Sequence, residues 1–270
     1  MMETIDRRVL AGFRCVDAIT GSSILSPLAV TGTPLAIKAN RSGVFAVLDG
    51  PGLTPLTTQF VPSAPNSWPA PATYEITITD PAMQYLARRA YIAAPQPLPV
   101  LTPPATTAPP AAGTTTTPQL PPPPPVTTPQ QVVLYPTTAA PLAPNWAVIR
   151  VLVTNNATPP APLPWAVIQV TGAGSPAPAG LTNQNGEALL AVLGLGLKLS
   201  SSGTGSVTET TTAATVTAWF DPGSLGQAAG WVPNPDDILW NLSDPQWKSA
   251  SQAVQLGPGQ TVNVSIAISM

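Results

Sequence analysis

The side chains able to do chemistry are few, and their spacing narrows what they could do. The chain holds twelve carboxylates and no histidine, so the commonest general base, the commonest metal ligand and every imidazole-dependent triad are missing. Asp236, Asp237 and Asp244 form the tightest carboxylate group. Such a trio could serve a calcium site or the acid/base pair of a glycosidase. All three, however, stand at helix-start or Asp-Pro positions, where capping and the helix dipole account for them, and they read as capping residues. Cys15 is the one cysteine, so no internal disulfide can form and zinc lacks ligands. It lies in the apolar run Val9 to Val16 with no base to activate it, and reads as a small buried hydrophobe. Walker A, GxGxxG and GxSxG patterns are all absent. The sequence therefore assigns no catalytic, cofactor-binding or metal-binding residue, and no cofactor.

Other residues point to contacts. Arg88 and Arg89 follow Tyr85-Leu86-Ala87 at the start of a strand-like run. Alternation sends them to opposite faces, so at most one meets a partner while the other can pair with Asp80 or Glu75. Of seven tryptophans, Trp219, Trp231, Trp240 and Trp247 crowd the last quarter. Most belong in cores, and one or two in the loops from Asp221 to Lys248 suit interface anchors. The Asn-x-Ser/Thr triplets at Asn40, Asn156, Asn241 and Asn263 are what chance supplies in a Ser- and Thr-rich chain.

The elements that must position these residues read as strands. In Thr73 to Asp80, Tyr74, Ile76 and Ile78 alternate with Glu75, Thr77 and Thr79, the period of a half-buried strand. Val9 to Val16, Leu35 to Ala39, Val44 to Leu48 and Arg88 to Ala93 are further strand candidates, with Asn40-Arg41-Ser42-Gly43 as a hairpin loop. Beyond the middle of the chain come Gln131 to Tyr135, Trp146 to Val153, Trp165 to Val170, Gly186 to Leu193, Thr215 to Phe220 and the amphipathic Gln260 to Ile268. Asn234 as a cap, Pro235 at the first position and two aspartates predict one short helix up to Leu242. Asp244-Pro245 can open a second, single-turn helix.

Between the two sets of strands, Pro95 to Pro129 is rich in proline and threonine and carries no charge. Proline denies it a sheet ladder or a helix. Because Arg88 to Ala93 and Gln131 to Tyr135 are both strand-like, the tract reads as an insertion within one domain, an arm to lay along a neighbouring subunit. The expected fold is all-β: a β-sandwich over 1–136 with the insertion 95–129, a linker 137–145, and a second β-sandwich over 146–270 with one or two short helices.

Only 8% of the residues are charged, the net charge is −2 and 44% are hydrophobic. That balance suits folded material with a weakly charged surface, as in a subunit packed within an assembly. Ten scattered Lys and Arg make no basic patch, which argues against nucleic acid. The N-terminus has no apolar run of signal-peptide length, and Ala188 to Leu197, broken by glycines, is about half of the ~20 residues a membrane helix needs. Neither secretion by a signal peptide nor membrane insertion is expected.

Two resemblances sharpen this. Gly180-Leu181-Thr182-Asn183-Gln184-Asn185-Gly186-Glu187-Ala188 resembles the turn of carboxypeptidase-regulatory-like, transthyretin-type modules, which implies an accessory, non-catalytic sandwich over Trp146 to Met270. Phe13 to Gly21, Asn40 to Gly43, Thr77 to Pro81 and Tyr85 to Arg89 are similar to β-rich proteins of contractile injection systems, which are phage-tail-like particles. That similarity implies a structural subunit at the cap or baseplate, assembled in the cytoplasm. Its partners would be sheath, tube, cap or baseplate proteins and further copies of itself. Two other readings stand beside it: a carbohydrate- or surface-binding module on a Pro/Thr stalk, and an enzyme using carboxylates alone.

Overall fold

A computed structural model describes residues 9–53, 70–96, 128–173, 177–195, 199–201, 207–209, 211–228 and 230–270. Its first strands are β1 (Ala11–Asp17), β2 (Ala29–Thr31), β3 (Ala36–Ala39), β4 (Val44–Asp49), β5 (Ala72–Thr79), β6 (Arg88–Ala94) and β7 (Gln130–Leu134). They form two sheets, β3-β4-β1-β7 and β2-β5-β6. Period-two alternation makes each sheet one-sided. Phe13, Cys15 and Val47 from one meet Ile76, Ile78 and Ile92 from the other in a shared core. The Asn40 side chain closes the β3–β4 hairpin by accepting from the Ser42 and Val44 amides, and Gly43 takes the left-handed conformation at φ 72° that the loop requires. In the same way Asp17 accepts from the Ile19 and Thr20 amides and turns the chain after β1.

The later strands are β8 (Ala147–Asn155), β9 (Val167–Thr171), β10 (Ala179–Leu181), β11 (Glu187–Val192), β12 (Leu199–Ser201), β13 (Val207–Glu209), β14 (Thr212–Phe220), β15 (Lys248–Leu256) and β16 (Thr261–Ile268). Sheets β10-β9-β14-β15 and β11-β8-β16 face one another across Ile149, Val151, Ile168, Val216, Phe220 and Ile266, and β12 pairs with β13. The last strand lies parallel to β8, with Thr261 to Ile268 matched to Val148 to Asn155. The Gly180 to Ala188 turn is fixed by a buried threonine. Thr182 Oγ1 donates to the Leu163 carbonyl and accepts from the Ala166 amide, and Asn183 Oδ1 accepts from the Asn185 and Glu187 amides. Gly186, at φ 73°, admits no Cβ because the Val153 carbonyl oxygen occupies the space.

Two expectations change. The helix α1 spans only Asp236–Leu239, the one α-helix among the described residues, and Asp244-Pro245 starts no helix. There Asp244 accepts from the Gln246 amide, Trp247 Nε1 is tied back to the Asn241 carbonyl, and β15 begins at Lys248, which leaves no room for a helical turn. The corresponding 3-10 turn is Pro222–Ser224, capped by Asp221. β15 itself has no apolar stripe to announce it. It is an edge strand that buries only Val254 and Leu256 and is held by its long register with β14.

A third apolar cluster joins the two sets of sheets. Tyr135 meets Val167, Leu181 and Ile238, with Leu86, Val133, Trp165, Trp219 and Trp247 packed around them. Residues 97–127, the bulk of the expected arm, lie outside the described residues.

Candidate functional site

Strand alternation points Arg88 inward and Arg89 outward along β6, and both side chains reach the loop that precedes α1. Arg88 is 1% exposed. Its Nη2 meets Asp236 Oδ2 at 2.5 Å and Asn234 Oδ1 at 3.3 Å, Nη1 donates to the Val133 carbonyl, Nε donates to the Arg89 carbonyl, and the guanidinium lies 5.9 Å from the Tyr135 ring. Burying a guanidinium is tolerable only with its donors satisfied, and here each nitrogen has a partner. Arg89 pairs with Glu75 at 3.2 Å on the neighbouring strand, donates from Nε to the Val232 carbonyl and lies 5.3 Å from the Trp231 ring. The Arg89 amide also donates to the Pro233 carbonyl.

Of the two expected acid partners, Glu75 takes Arg89, and Asp80 takes neither arginine. Its carboxylate turns the β5–β6 connection by accepting from the Ala82, Gln84 and Tyr85 amides. Nor is Asp236 only a helix-start charge. The cap expected at Asn234 falls at Pro235, which gives no side-chain cap bond; Asn234, just outside the helix, accepts through Oδ1 from the Asp236 amide, whereas the Asp236 carboxylate crosses to the other set of sheets and holds Arg88. Asp237 stays exposed, accepting from Asn234 Nδ2. Partial desolvation, reinforced by the neighbouring Asp236 and Glu75 carboxylates and opposed by the arginines, pushes its carboxyl above the ordinary aspartate range. Asp244 closes a separate turn. Among the described residues no group of three His, Cys, Asp or Glu could hold a metal.

With the loop pinned in this way, α1 turns Ile238 into the apolar junction and Trp240 outward. Trp240 is 70% exposed, and it stacks on Tyr91, an outward residue of β6 that is 39% exposed, with centroids 6.4 Å apart and planes 28° apart. Glu75 stands opposite Tyr91 across β5 and β6, and Arg89, two positions back along β6, holds Glu75 and lies against Trp231. Of the four tryptophans singled out in the sequence, Trp219 and Trp247 pack at the junction, Trp231 covers Arg89, and Trp240 alone is left open. Tyr91 was not distinguishable from a core aromatic by sequence. Only the outward phase of β6 was available to find it.

A second built feature sits at the roots of the Pro/Thr tract. The Gln96 side chain pairs with both the amide and the carbonyl of Gly12 at 3.1 Å, while its own amide donates to the Leu10 carbonyl. The Gln130 side chain pairs with the amide and carbonyl of Ala93 at 3.0 and 2.8 Å, and its backbone is in register with Phe13. Two glutamines thus imitate strand residues, and the chain leaves beside Gly12 and returns beside Phe13, adjacent positions of β1.

Cys15 is fully buried. Burial, partly offset by Arg88, raises its thiol pKa to about 12, so it remains a thiol at neutral pH. A groove of about 500 Å³ lies on the outer face of β11-β8-β16, with Arg150, Leu152, Glu187, Asn263 and Ser265 along it. No helix among the described residues is long and apolar enough to cross a membrane. No protein-family model, curated protein or solved structure matches the chain.

Proposed function

We propose that this chain is a non-catalytic structural subunit of a contractile injection, phage-tail-like particle, at its cap or baseplate, and that it meets its neighbours through the Tyr91–Trp240 platform. One observation carries the reading: a tryptophan 70% exposed on a mount held by the pairing of buried Arg88 with half-buried Asp236. Exposed indole is the surface that interface hot spots use, and an anchor already fixed in place loses little entropy on docking. The weakly charged chain and the N-terminal motifs support the same reading and supply the class of particle. Assembly would then take place in the cytoplasm.

The chain purified from its native source should co-sediment with sheath and tube proteins, and Trp240→Ala should lose them while keeping its circular dichroism. A monodisperse wild-type monomer free of particle proteins would sink the reading. A carbohydrate- or surface-binding module is favoured by one feature, the stacked aromatic pair beside the Glu75 carboxylate, which could accept from sugar hydroxyls. Glycan-array binding abolished by Trp240→Ala would establish it instead.

A further inference from the structure

We infer that two copies of this chain join edge to edge through β15, antiparallel about a two-fold axis at Gln252. The inference goes beyond the assembly reading and rests neither on it nor on the aromatic platform. A sheet edge is a row of unpaired amides and carbonyls, and folded proteins guard such rows with short strands, bulges, charges or a covering loop. Several edges among the described residues are guarded in this way. β2 and β10 are three residues long, and β3 is four residues long with a register shift between Ala36 and Ile37. β6 meets the loop at Val232 and Pro233, which Arg89 holds through its amide and its Nε.

β15 has none of these guards. It keeps unbroken register with β14 from Lys248 opposite Phe220 to Leu256 opposite Thr212, and it lies at the end of its sheet. Ser249, Ser251, Gln252, Ala253 and Gln255 are exposed, and among the described residues no backbone other than that of β14 pairs with the strand. Its one charge is Lys248, and from Ser249 to Met270 the chain carries none. β16, an edge of the facing sheet, packs against β15 and is likewise uncharged, so this side of the sandwich is neutral.

The strand is complementary to itself, which selects a second copy as its partner. Gln252 is the midpoint of Lys248–Leu256, so antiparallel pairing about it aligns the whole strand of both copies. Lys248 then meets Leu256, Ala250 meets Val254, Ser251 meets Ala253, and no charge faces its like. Opposed positions share one parity, so Ala250, Val254 and Leu256, which cover the core, stay on the same face in both copies. Gln252 belongs to that row by alternation yet is exposed, and across the axis its amide meets an identical amide able both to donate and to accept. A patch that pairs with itself closes at two copies, and the opposite edge of the sheet, β10, is too short to extend it.

Charge exchange at the axis tests this with the full chain. Gln252→Lys and Gln252→Glu alter an exposed side chain, so both should keep wild-type circular dichroism. By sedimentation equilibrium, wild type should be a dimer and each variant alone should bind itself about fivefold or more weakly, because like charges face across the axis. An equal mixture of the two should regain at least wild-type affinity. Amide hydrogen exchange locates the contact: protection of residues 249–256 should rise with concentration in wild type and not in Gln252→Lys. Trp240→Ala should leave the dimer intact, which separates this contact from the platform. A monomeric wild type overturns the inference, and so does a dimer whose affinity neither variant changes. Variants that are weakened but gain nothing on mixing would set β15 against some other strand and overturn it too.

Discussion

Arg88 is the residue on which the junction depends. Its charge is buried among Asp236, Asn234 and two carbonyls contributed by both sets of sheets. Replacing it by Met keeps the bulk but leaves the Val133 carbonyl and Asn234 Oδ1 without their donor, while Asp236, 27% exposed, turns to water, which should cost about 1–3 kcal/mol in urea unfolding. Asp237 should behave in the opposite way. Its folded pKa is raised, so the folded state binds more protons than the unfolded one between the unfolded and the folded values, and stability falls as pH rises through that window. At neutral pH the charge is a net liability. Asp237→Asn should therefore stabilise the protein above the folded pKa, by less than about 0.5 kcal/mol because the group is exposed, and should flatten the pH profile of unfolding midpoints just above the ordinary aspartate range. The legible part at this scale was the turns: Asn40 and Asn183 each act where short-range turn chemistry put them. The partner of Arg88 was not legible, since Asp236 stands far along the chain and local signals explained it as a helix-start charge.

At the scale of elements, strands with one wet and one dry face were readable. Thr73 to Asp80 and Gln260 to Ile268 alternate because each covers a single core. β15 was not readable, because an edge strand held by backbone pairing needs little apolar surface. The turn at Thr182 shows how a side chain can do the work of a strand. Thr182→Val keeps the shape but leaves the Leu163 carbonyl and the Ala166 amide unpaired in a buried place, and should lower stability by about 1–3 kcal/mol. Thr182→Ser, which retains the hydroxyl, should recover most of that loss in the same thermal melt.

At the scale of the molecule, two sandwich cores meet through a third cluster and two arginines. Such coupling predicts a single unfolding transition for wild type. In Arg88→Met, calorimetry should show the transition broaden or divide, with a van't Hoff enthalpy below the calorimetric one. If the variant still unfolds in one sharp step, the apolar cluster alone couples the halves.

By itself the sequence determined the all-β class, a short helix before Trp240, the turns and the absence of imidazole. These follow from alternation, proline and composition, which act over a few residues. Tertiary structure alone decided that β16 runs parallel to β8, that Gln96 and Gln130 close the roots of the tract, and that one tryptophan of four is left open. Each of these depends on which distant backbone or side chain arrives alongside. No local pattern encodes that arrival, because it is settled by the packing of whole sheets.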